Sequence, residues 1–424
     1  MDAHQRGILC SAAKRYGTPL YLYIFGDIEN RIAELNRLFG GRFDLSYAVK
    51  ANPNIAILRE LGGRVASYDV SSFGEVERVL KAGSAPERIS FSGPGKREEE
   101  IRRAVELDIG ELVCESLAQT VIAADHARRL GRQIPILLRL NPLHAPKGFG
   151  VNMAGRPSQF GIDEEESEDV IHAVLRQQHT KLIGFHIYSG TNCLNEDAII
   201  ENISLCRDLF DRACVAADLR PQKLIFGSGF GIPYLPADKD LDVGAIAAAV
   251  NPQLDAMRRN PRYEKTRFSL ELGRWIIGQA GYLLTSVIGE KAIRGTNFAI
   301  CDAGFNNQLS ACGMMGSVIR RNWRIETTSA PETANADLQP YTVVGPLCTS
   351  IDVIATNINL PRLRVGEVLA IEGSGAYGLT ASPTRFISHP EPREILVTST
   401  GEFLDVSESL LNHWSNPAAM PLPS

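Results

Sequence analysis

The stretch SYAVKANPN, residues 46–54, places a lysine at the end of a short apolar run and directly before a turn. Lysine is strongly hydrated and is rarely found at the end of a buried strand without a specific reason. Partial removal from water lowers the pKa of a lysine amine, which then supplies the uncharged form that attacks a carbonyl group. We therefore expect Lys50 to act as a nucleophile on an aldehyde.

The first two-thirds of the chain alternates short apolar runs with helical patterns such as 74–83, 96–108 and 117–132. Short, mostly apolar strands are typical of a parallel sheet that is buried on both faces. Eight of them with helical crossovers favour an α/β protein with a (β/α)8 barrel over an open doubly wound sheet. The predicted strands are 44–49, 64–70, 88–93, 111–116, 135–140, 182–188, 223–229 and 267–273.

The chain changes character after about residue 280, where strand-like segments follow one another without long helices. This pattern predicts a C-terminal β-rich domain, with a β-sandwich or Greek-key-like arrangement. The segment TPLYLYIF near the N-terminus is also strand-like, and we expect it to pair with this domain. We assign residues 26–280 to the barrel, and residues 1–25 together with 281–424 to the β domain.

Polar side chains stand at the carboxyl ends of most of the predicted barrel strands, where barrel enzymes place their functional groups. Any one of these residues, taken alone, is more commonly structural than functional. Because the carboxyl ends of the strands meet at one mouth, their joint occurrence indicates a site for chemistry. The residues are Lys50, Asp69, Ser92, Arg139, His186, Ser189, the turn GSGFG at 227–231, Glu271 and Arg274.

These features together favour pyridoxal 5′-phosphate as a cofactor. The backbone N–H groups of the turn 227–231 can cradle a phosphate, and barrels build phosphate sites from the loops after their seventh and eighth strands. Lys50 would bond the cofactor aldehyde, and Glu271 would keep the pyridine nitrogen protonated, so that the ring accepts the electron pair left when CO2 departs. Arg274 would add charge to the phosphate or to a substrate carboxylate. His186 would stack on the ring, with a hydrogen-bonded core histidine as the alternative.

Composition and charge argue against several other classes of protein. The 424 residues carry a net charge of −5 and give a pI of about 6.0, which does not favour binding to nucleic acid or to a membrane surface. The eight histidines are dispersed, so no metal site is predicted. The eight cysteines are scattered, and we find neither a signal peptide nor an apolar run of about 18 residues. We expect a cytoplasmic protein with reduced thiols.

Six motifs, in order, resemble those of fold-type III pyridoxal-phosphate-dependent decarboxylases, the diaminopimelate and ornithine decarboxylase group. The similarity extends from about residue 17 to about residue 397. It implies a cofactor-binding barrel followed by a β domain, in a head-to-tail homodimer whose active sites form at the interface. The motifs are YAVKAN, GFHIYSGTN, GSGFG, ELGR, GPLCTSID and GSGAYG.

The resemblance also implies a role for individual residues. By similarity Lys50 carries the cofactor, and Cys348 reaches across from the partner subunit to reprotonate the product carbanion. A thiol suits this step because a modest change of environment brings its pKa near neutrality. The implied substrate contacts are Arg274, Thr349, Asp352 and Tyr377. The implied cofactor contacts are Lys50, Asp69, His186, Ser189, Gly227, Ser228, Gly229, Gly231, Glu271, Gly273, Arg274 and Tyr377.

The sequence departs from the family pattern at several positions. Ser228 stands within the glycine triplet and Leu272 replaces a proline, and neither change removes a chemical group. The charged partners that diaminopimelate decarboxylases present to the far end of the substrate are replaced by Ser310, Met314 and Thr349. Losing them should cost on the order of several kcal/mol of binding, because buried charges need partners. Diaminopimelate is therefore disfavoured as the substrate.

A substrate whose distal carboxylate is masked would fit such a neutral wall. The segments 91–96, 154–163 and 374–383 are similar to decarboxylases of carrier-protein-bound amino acids, such as the glutamyl-carrier-protein decarboxylase of butirosin biosynthesis. In those enzymes a thioester on a phosphopantetheine arm replaces the distal acid. Two alternatives remain open: a decarboxylase of free diaminopimelate, ornithine, lysine or arginine, and a catalytically silent regulatory homologue. A racemase is disfavoured, because Glu271 strengthens the electron sink that a racemase weakens.

Overall fold

The computed structural model describes residues 1–314, 321–329 and 338–408. Its strands are β1 Leu20–Ile24, β2 Asp44–Ala48, β3 Ser67–Val70, β4 Ile89–Phe91, β5 Glu111–Cys114, β6 Ile134–Asn141, β7 Val151–Asn152, β8 Ile162–Asp163, β9 Thr180–Ile187, β10 Gly190–Thr191, β11 Lys223–Gly227, β12 Arg267–Leu272, β13 Gly281–Ile293, β14 Thr296–Cys301, β15 Ile325–Thr327, β16 Leu338–Val344, β17 Val353–Pro361, β18 Val368–Ile371, β19 Arg393–Val397 and β20 Phe403–Asp405. Its α-helices are α1 Ala3–Tyr16, α2 Phe25–Phe39, α3 Ile55–Leu61, α4 Phe73–Lys81, α5 Glu98–Leu107, α6 Leu117–Arg129, α7 Ser167–Leu175, α8 Glu196–Ala216, α9 Val243–Arg258 and α10 Arg274–Ile277.

Eight parallel strands close into a barrel, in the order β2, β3, β4, β5, β6, β9, β11 and β12. The ring closes where β12 pairs with β2, with Leu270 opposite Leu45. These are the eight strands predicted from sequence, so the predicted barrel is confirmed. Apolar side chains from β5, β6, β9 and β11 fill part of the barrel interior, namely Val113, Leu137, Ile183 and Ile225.

Several crossover helices, among them α4 and α9, begin at residues whose side chains accept a hydrogen bond from the first helical turn. Ser72 accepts from the N–H of Glu75 at 3.3 Å, and Asp242 accepts from the N–H of Ala245 at 2.9 Å. Such caps satisfy backbone donors that have no partner within the helix, and each contributes about 1 kcal/mol. They fix where each helix starts and therefore where the preceding loop at the barrel mouth ends.

The amino ends of the barrel strands carry a buried ion pair. Lys223 at the start of β11 donates a hydrogen bond to Glu111 at the start of β5, and each residue is only 3% exposed. Because β5 and β11 are not neighbours in the sheet, this bond crosses the interior of the barrel. It lies at the end of the barrel opposite to the mouth, where polar groups serve stability rather than chemistry.

A nine-stranded β domain contains the rest of the described strands apart from three short ones: β8, which pairs with β6, and β7 and β10, which pair with each other. The N-terminal strand β1 pairs antiparallel with β13 and parallel with β19, as the sequence predicted for TPLYLYIF. The long strand β13 pairs with β1 and β18 through its first half and with β14 through its second half. A register shift between Val287 and Gly289 separates the two halves.

Hydrogen bonds join the β domain to the turn that follows β2. The side chain of Asn52 donates to the carbonyl of Gly375 at 3.1 Å, and the N–H of Tyr377 donates to the carbonyl of Ala51 at 2.8 Å. Ala51 and Asn52 directly follow Lys50 in the sequence. The loop at 373–378 of the β domain is thereby fixed against the barrel mouth.

No group of three or more His, Cys, Asp and Glu side chains suited to a metal ion occurs within residues 1–314, 321–329 and 338–408. Within those same ranges, no helix combines the length and the apolar character needed to cross a membrane.

Candidate active site

A cavity of about 370 Å³ opens at the carboxyl ends of the barrel strands. It brings together seven residues predicted from strand ends or from family motifs. They come from five barrel strands or the segments that directly follow them, and from one loop of the β domain. These residues are Lys50, Ser92, Arg139, His186, Glu271, Arg274 and Tyr377.

Lys50 lies between two carboxylates that come from the strands on either side of its own. Its Nζ atom is 3.1 Å from Asp69 Oδ2 on β3 and 3.4 Å from Glu271 Oε1 on β12. Burial by itself would lower the pKa of the lysine, but the charges of Asp69 and Glu271 outweigh it and hold the pKa well above its ordinary value. The expectation of a lowered lysine pKa was therefore wrong, because the sequence did not show that two carboxylates would face the same amine.

The two carboxylates respond differently to this shared environment. Burial and the neighbouring charge of Glu271 raise the pKa of Asp69. Burial would also raise the pKa of Glu271, but Lys50 and a hydrogen bond from His186 lower it instead. The lowered pKa favours the ionised form of Glu271, which is the state needed to hold a proton on a ring nitrogen.

His186 hydrogen-bonds Glu271 with one ring nitrogen and leaves the other without a partner. Its Nε2 atom is 3.1 Å from Glu271 Oε2. Its Nδ1 atom is buried and has no hydrogen-bond partner among the described residues. The ring lies on β9 beside the cavity and is 2% exposed, so it forms part of the wall next to Lys50.

The glycine-rich turn after β11 lines a narrow hollow that adjoins the cavity. Ser228, Gly229 and Gly273 face Arg274 and Tyr377 across this hollow. Gly229 has φ of +68°, and a Cβ atom there would lie 2.2 Å from the ring of Phe149. A Cβ atom on Gly227 would lie 2.5 Å from the ring of Tyr188. A larger residue at either position would therefore displace the turn. Glycine keeps the turn in place and leaves its backbone open to close approach by a ligand.

These residues fit the groups of pyridoxal 5′-phosphate. Lys50 supplies the amine for the aldehyde, and the ionised Glu271 suits a protonated ring nitrogen. The glycine turn suits the phosphate, together with Arg274, whose buried Nε atom has no hydrogen-bond partner among the described residues. Lys50 and the glycine turn thus border one continuous space, since Tyr188, Thr191, Glu271, Arg274 and Tyr377 line both the cavity and the hollow.

Four predicted cofactor contacts do not line either space: Asp69, which bonds Lys50, and Gly227, Ser189 and Gly231. Ser189 is buried, and its hydroxyl interacts with the thiol of Cys206 on α8. Gly231 packs closely against the backbone of Cys193, to which its N–H donates at 2.9 Å. Ser189 and Gly231 support the loops that carry the glycine turn and β10.

The loop between β16 and β17 carries Cys348, Thr349 and Asp352, and none of the three lines the cavity of its own chain. Cys348 is exposed. Asp352 is buried and accepts hydrogen bonds at 2.8 Å from the N–H groups of Phe305 and Leu347. Burial raises the pKa of Asp352, while those hydrogen bonds oppose the rise. Within one chain, Asp352 therefore fixes the shape of the loop that presents Cys348.

Sequence reasoning missed several residues in the cavity wall and directly behind it. Tyr188 directly follows β9, the strand that carries His186. Met153 and Phe160 come from the long loop after β6. Glu115 directly follows β5 and bonds Arg139 at 3.1 Å. The polar residues predicted at strand ends included none from the fourth predicted strand, ELVCES at 111–116. The position of Glu115 near the end of that strand was the signal that could have identified it. The loop residues carried no comparable signal.

Comparison with known proteins agrees with this chemistry. Residues 25–278 match the family model of the pyridoxal binding domain of pyridoxal-dependent decarboxylases. The L-glutamyl-[BtrI acyl-carrier protein] decarboxylase of Niallia circulans is 34% identical over 396 residues, which cover 92% of this chain and 90% of that protein. Diaminopimelate decarboxylase of Methanothermobacter thermautotrophicus is 31% identical over 392 residues, which cover 91% and 88%. The crystal structure of diaminopimelate decarboxylase from Helicobacter pylori complexed with L-lysine has a TM-score of 0.83 at 28% identity, covering 95% of this chain and 98% of that one.

The family model covers more than half of the chain, and the relatives match it along nearly their whole length. These matches confirm the fold, the cofactor and the reaction class that the motifs predicted. The chain belongs to the pyridoxal-dependent decarboxylases and is a carboxy-lyase that uses pyridoxal 5′-phosphate.

Proposed function

We propose that this decarboxylase acts on an L-amino acid that is delivered as a thioester on an acyl carrier protein. The observation that carries the proposal is the neutral character of the residues expected at the far end of the substrate. Ser310 lies against Tyr377, with its hydroxyl 3.5 Å from the Tyr377 carbonyl oxygen, and Met314 is half-buried on the same segment. A distal carboxylate or ammonium would find no formal charge on these side chains, whereas a thioester needs none.

The resemblance to the Niallia circulans enzyme supports the same conclusion, because its name specifies a glutamyl group on a carrier protein. Diaminopimelate decarboxylases are also similar, at 31% identity for the Methanothermobacter enzyme. That likeness favours a free diamino acid as the second candidate substrate. The replacement of charged residues by Ser310, Met314 and Thr349 weighs against it.

The residues of this chain divide the work around the cofactor. When bound, pyridoxal phosphate accepts the electron pair that is released as the bond between Cα and the carboxylate breaks. Lys50 would hold the aldehyde carbon, Glu271 would hold the proton on the ring nitrogen, and the glycine turn with Arg274 would bind the phosphate. The ring of Tyr188 adds apolar wall to the cavity, which limits access of water to the reacting carbon.

Cys348 is the proton donor in this proposal, acting in the cavity of a second copy of the chain. Its thiol is exposed on the loop after β16 and does not line the cavity of its own chain. A donor presented outward in this way reaches reacting atoms only in another subunit. We therefore propose a homodimer in which each cavity receives Cys348 and Thr349 of the partner.

Turnover of a defined set of substrates tests the tethered-substrate proposal. Glutamyl thioesters on a carrier protein and on N-acetylcysteamine should release CO2 on the order of 100-fold faster, in kcat/KM, than free diaminopimelate, ornithine, lysine, arginine or glutamate. Release of CO2 from any free amino acid at a rate equal to or above that of the thioesters would overturn the proposal.

The position of the cofactor is tested separately by borohydride reduction and peptide mapping. We expect the reduced adduct on Lys50 and its loss in Lys50→Arg. Lys96 is the matched control, because burial lowers the pKa of its amine and it lies beside the cavity loop, donating to the Gly93 carbonyl. Lys96→Arg should keep the adduct, and an adduct that disappears with Lys96 instead of Lys50 would contradict the assignment.

A further inference from the structure

We propose that Glu115 is a positioning residue that holds Arg139 in the wall of the cavity, where the free end of its guanidinium meets an oxygen atom of the bound substrate or cofactor. The inference rests on the position of the active site in the barrel mouth. It does not depend on whether the substrate is tethered to a carrier protein.

Glu115 joins three neighbouring segments of the barrel mouth through one buried carboxylate. Its Oε1 atom accepts a hydrogen bond from the N–H of Gly93 at 2.8 Å and from Arg139 Nη1 at 3.1 Å. Its Oε2 atom accepts from the N–H of Gly161 at 2.9 Å. Gly93 follows β4, Arg139 lies on β6, and Gly161 ends the long loop that carries Met153 and Phe160 into the cavity.

Arg139 is 6% exposed and is paired at only one end of its guanidinium. Nη1 bonds Glu115, but the buried Nη2 atom has no hydrogen-bond partner among the described residues. The guanidinium lies 4.7 Å from the centre of the Phe160 ring, which limits its movement. An unpaired N–H on a buried cation is costly, so an acceptor oxygen brought by a ligand is strongly favoured there.

The neighbours of Arg139 show that its guanidinium lies close to the residues expected to react. Arg139 on β6 stands directly opposite His186 on β9 in the strand register. Both residues line the same cavity as Lys50. An oxygen that approaches Nη2 therefore belongs to a molecule bound at Lys50, either a carboxylate or carbonyl of the amino acid or an oxygen of the cofactor.

Glu115 does not line the cavity, so its effect on the reaction passes through Arg139 and through the two loops that it anchors. Replacing its charge would leave the guanidinium free to rotate away from the wall. The chain contains a natural control for the loss of a buried ion pair. Glu111 on the same strand bonds the buried Lys223 at the opposite end of the barrel, away from the cavity.

The test compares Glu115→Gln, Arg139→Gln and the double variant with Glu111→Gln. Each holoenzyme is assayed with whichever substrate of the panel above releases CO2 fastest, so failure of the tethered-substrate proposal leaves this test intact. We expect Glu115→Gln to lower kcat/KM by about tenfold or more, and the double variant to be no worse than Arg139→Gln alone. Glu111→Gln should lower the melting temperature but leave kcat and KM unchanged.

Whether the variants change KM or the affinity for pyridoxal phosphate identifies the molecule whose oxygen atom meets Arg139 Nη2. A rise in KM at unchanged affinity for pyridoxal phosphate assigns the oxygen to the substrate, and weaker binding of pyridoxal phosphate assigns it to the cofactor. Unchanged kinetics in Glu115→Gln would overturn the proposal, and so would losses in the two single variants that multiply in the double variant. Kinetic losses in Glu111→Gln equal to those in Glu115→Gln would also overturn it, because they would reflect stability alone.

Discussion

Replacing Glu394 with glutamine should stabilise the protein at alkaline pH and leave its stability unchanged at acidic pH. Glu394 on β19 is 6% exposed and lies at the junction between the β domain and the start of α3. It accepts hydrogen bonds from the hydroxyl of Tyr23 at 2.8 Å and from Asn54 Nδ2 at 3.2 Å. Burial raises the pKa of Glu394 to about 7, and the two hydrogen bonds only partly oppose this.

The sign and size of the effect follow from this pKa. An unfolded glutamate titrates near 4.5, so between pH 4.5 and about 7 the folded protein binds more protons than the unfolded chain. Folding stability therefore falls as pH rises through this window, and the full penalty is present above about pH 7. The rise in the pKa of Glu394 from 4.5 to about 7 lowers the free energy of unfolding above pH 7 by roughly 3 kcal/mol, at about 1.4 kcal/mol per pH unit. For a chain of this length that is about 4 °C in melting temperature, using a specific unfolding entropy of roughly 2 cal/mol/K per residue.

The assay is thermal unfolding of the holoenzyme from pH 5 to pH 8.5, for the natural protein and Glu394→Gln in parallel. Glutamine resembles the protonated carboxyl in shape and charge, so the two melting temperatures should coincide near pH 5 and separate by about 4 °C at pH 8. Glu402→Gln is the matched control, because Glu402 is exposed and directly precedes β20, the strand that pairs with β19. A difference between Glu394→Gln and the natural protein that stays constant across the pH range would refute the reasoning.

Three further predictions concern the active site. Glu271→Gln should lower kcat by on the order of 100-fold while keeping the cofactor bound, as measured by steady-state kinetics and cofactor absorbance, because glutamine does not hold the ring nitrogen protonated. Gly229→Ala should weaken binding of pyridoxal phosphate at least about tenfold in a cofactor titration, because the new methyl group would lie 2.2 Å from the ring of Phe149 in a backbone conformation with φ of +68°. Inactive Lys50→Ala and Cys348→Ala proteins, mixed and reassembled, should regain about a quarter of the natural activity if each site uses both subunits. No recovery would contradict the shared site.

The order of motifs along the chain was enough to predict the architecture. The eight barrel strands were found because each is a short apolar run between helical segments, and burial on both faces requires that pattern. The pairing of TPLYLYIF with the β domain was also predicted correctly, since a strand so close to the N-terminus precedes the first helix of the barrel. The polar strand ends identified Lys50, His186 and Glu271 as neighbours before any distance was known.

The sequence could not determine how these neighbours act on one another. The raised pKa of Lys50 depends on two carboxylates within 3.4 Å, and that distance is set by the register of β2 with β3 and β12. Phe160 enters the cavity from a long loop without regular pattern, so only the folded chain shows it.

By itself, then, the sequence determined the barrel, the cofactor and the reaction class, because strand periodicity and motif order are local properties of the chain. The tertiary structure decided which charges share a space, that Glu115 bonds Arg139, and that Cys348 is exposed and does not line the cavity of its own chain. Those features depend on contacts between residues far apart in sequence, and their electrostatics change steeply with distances that no local pattern encodes.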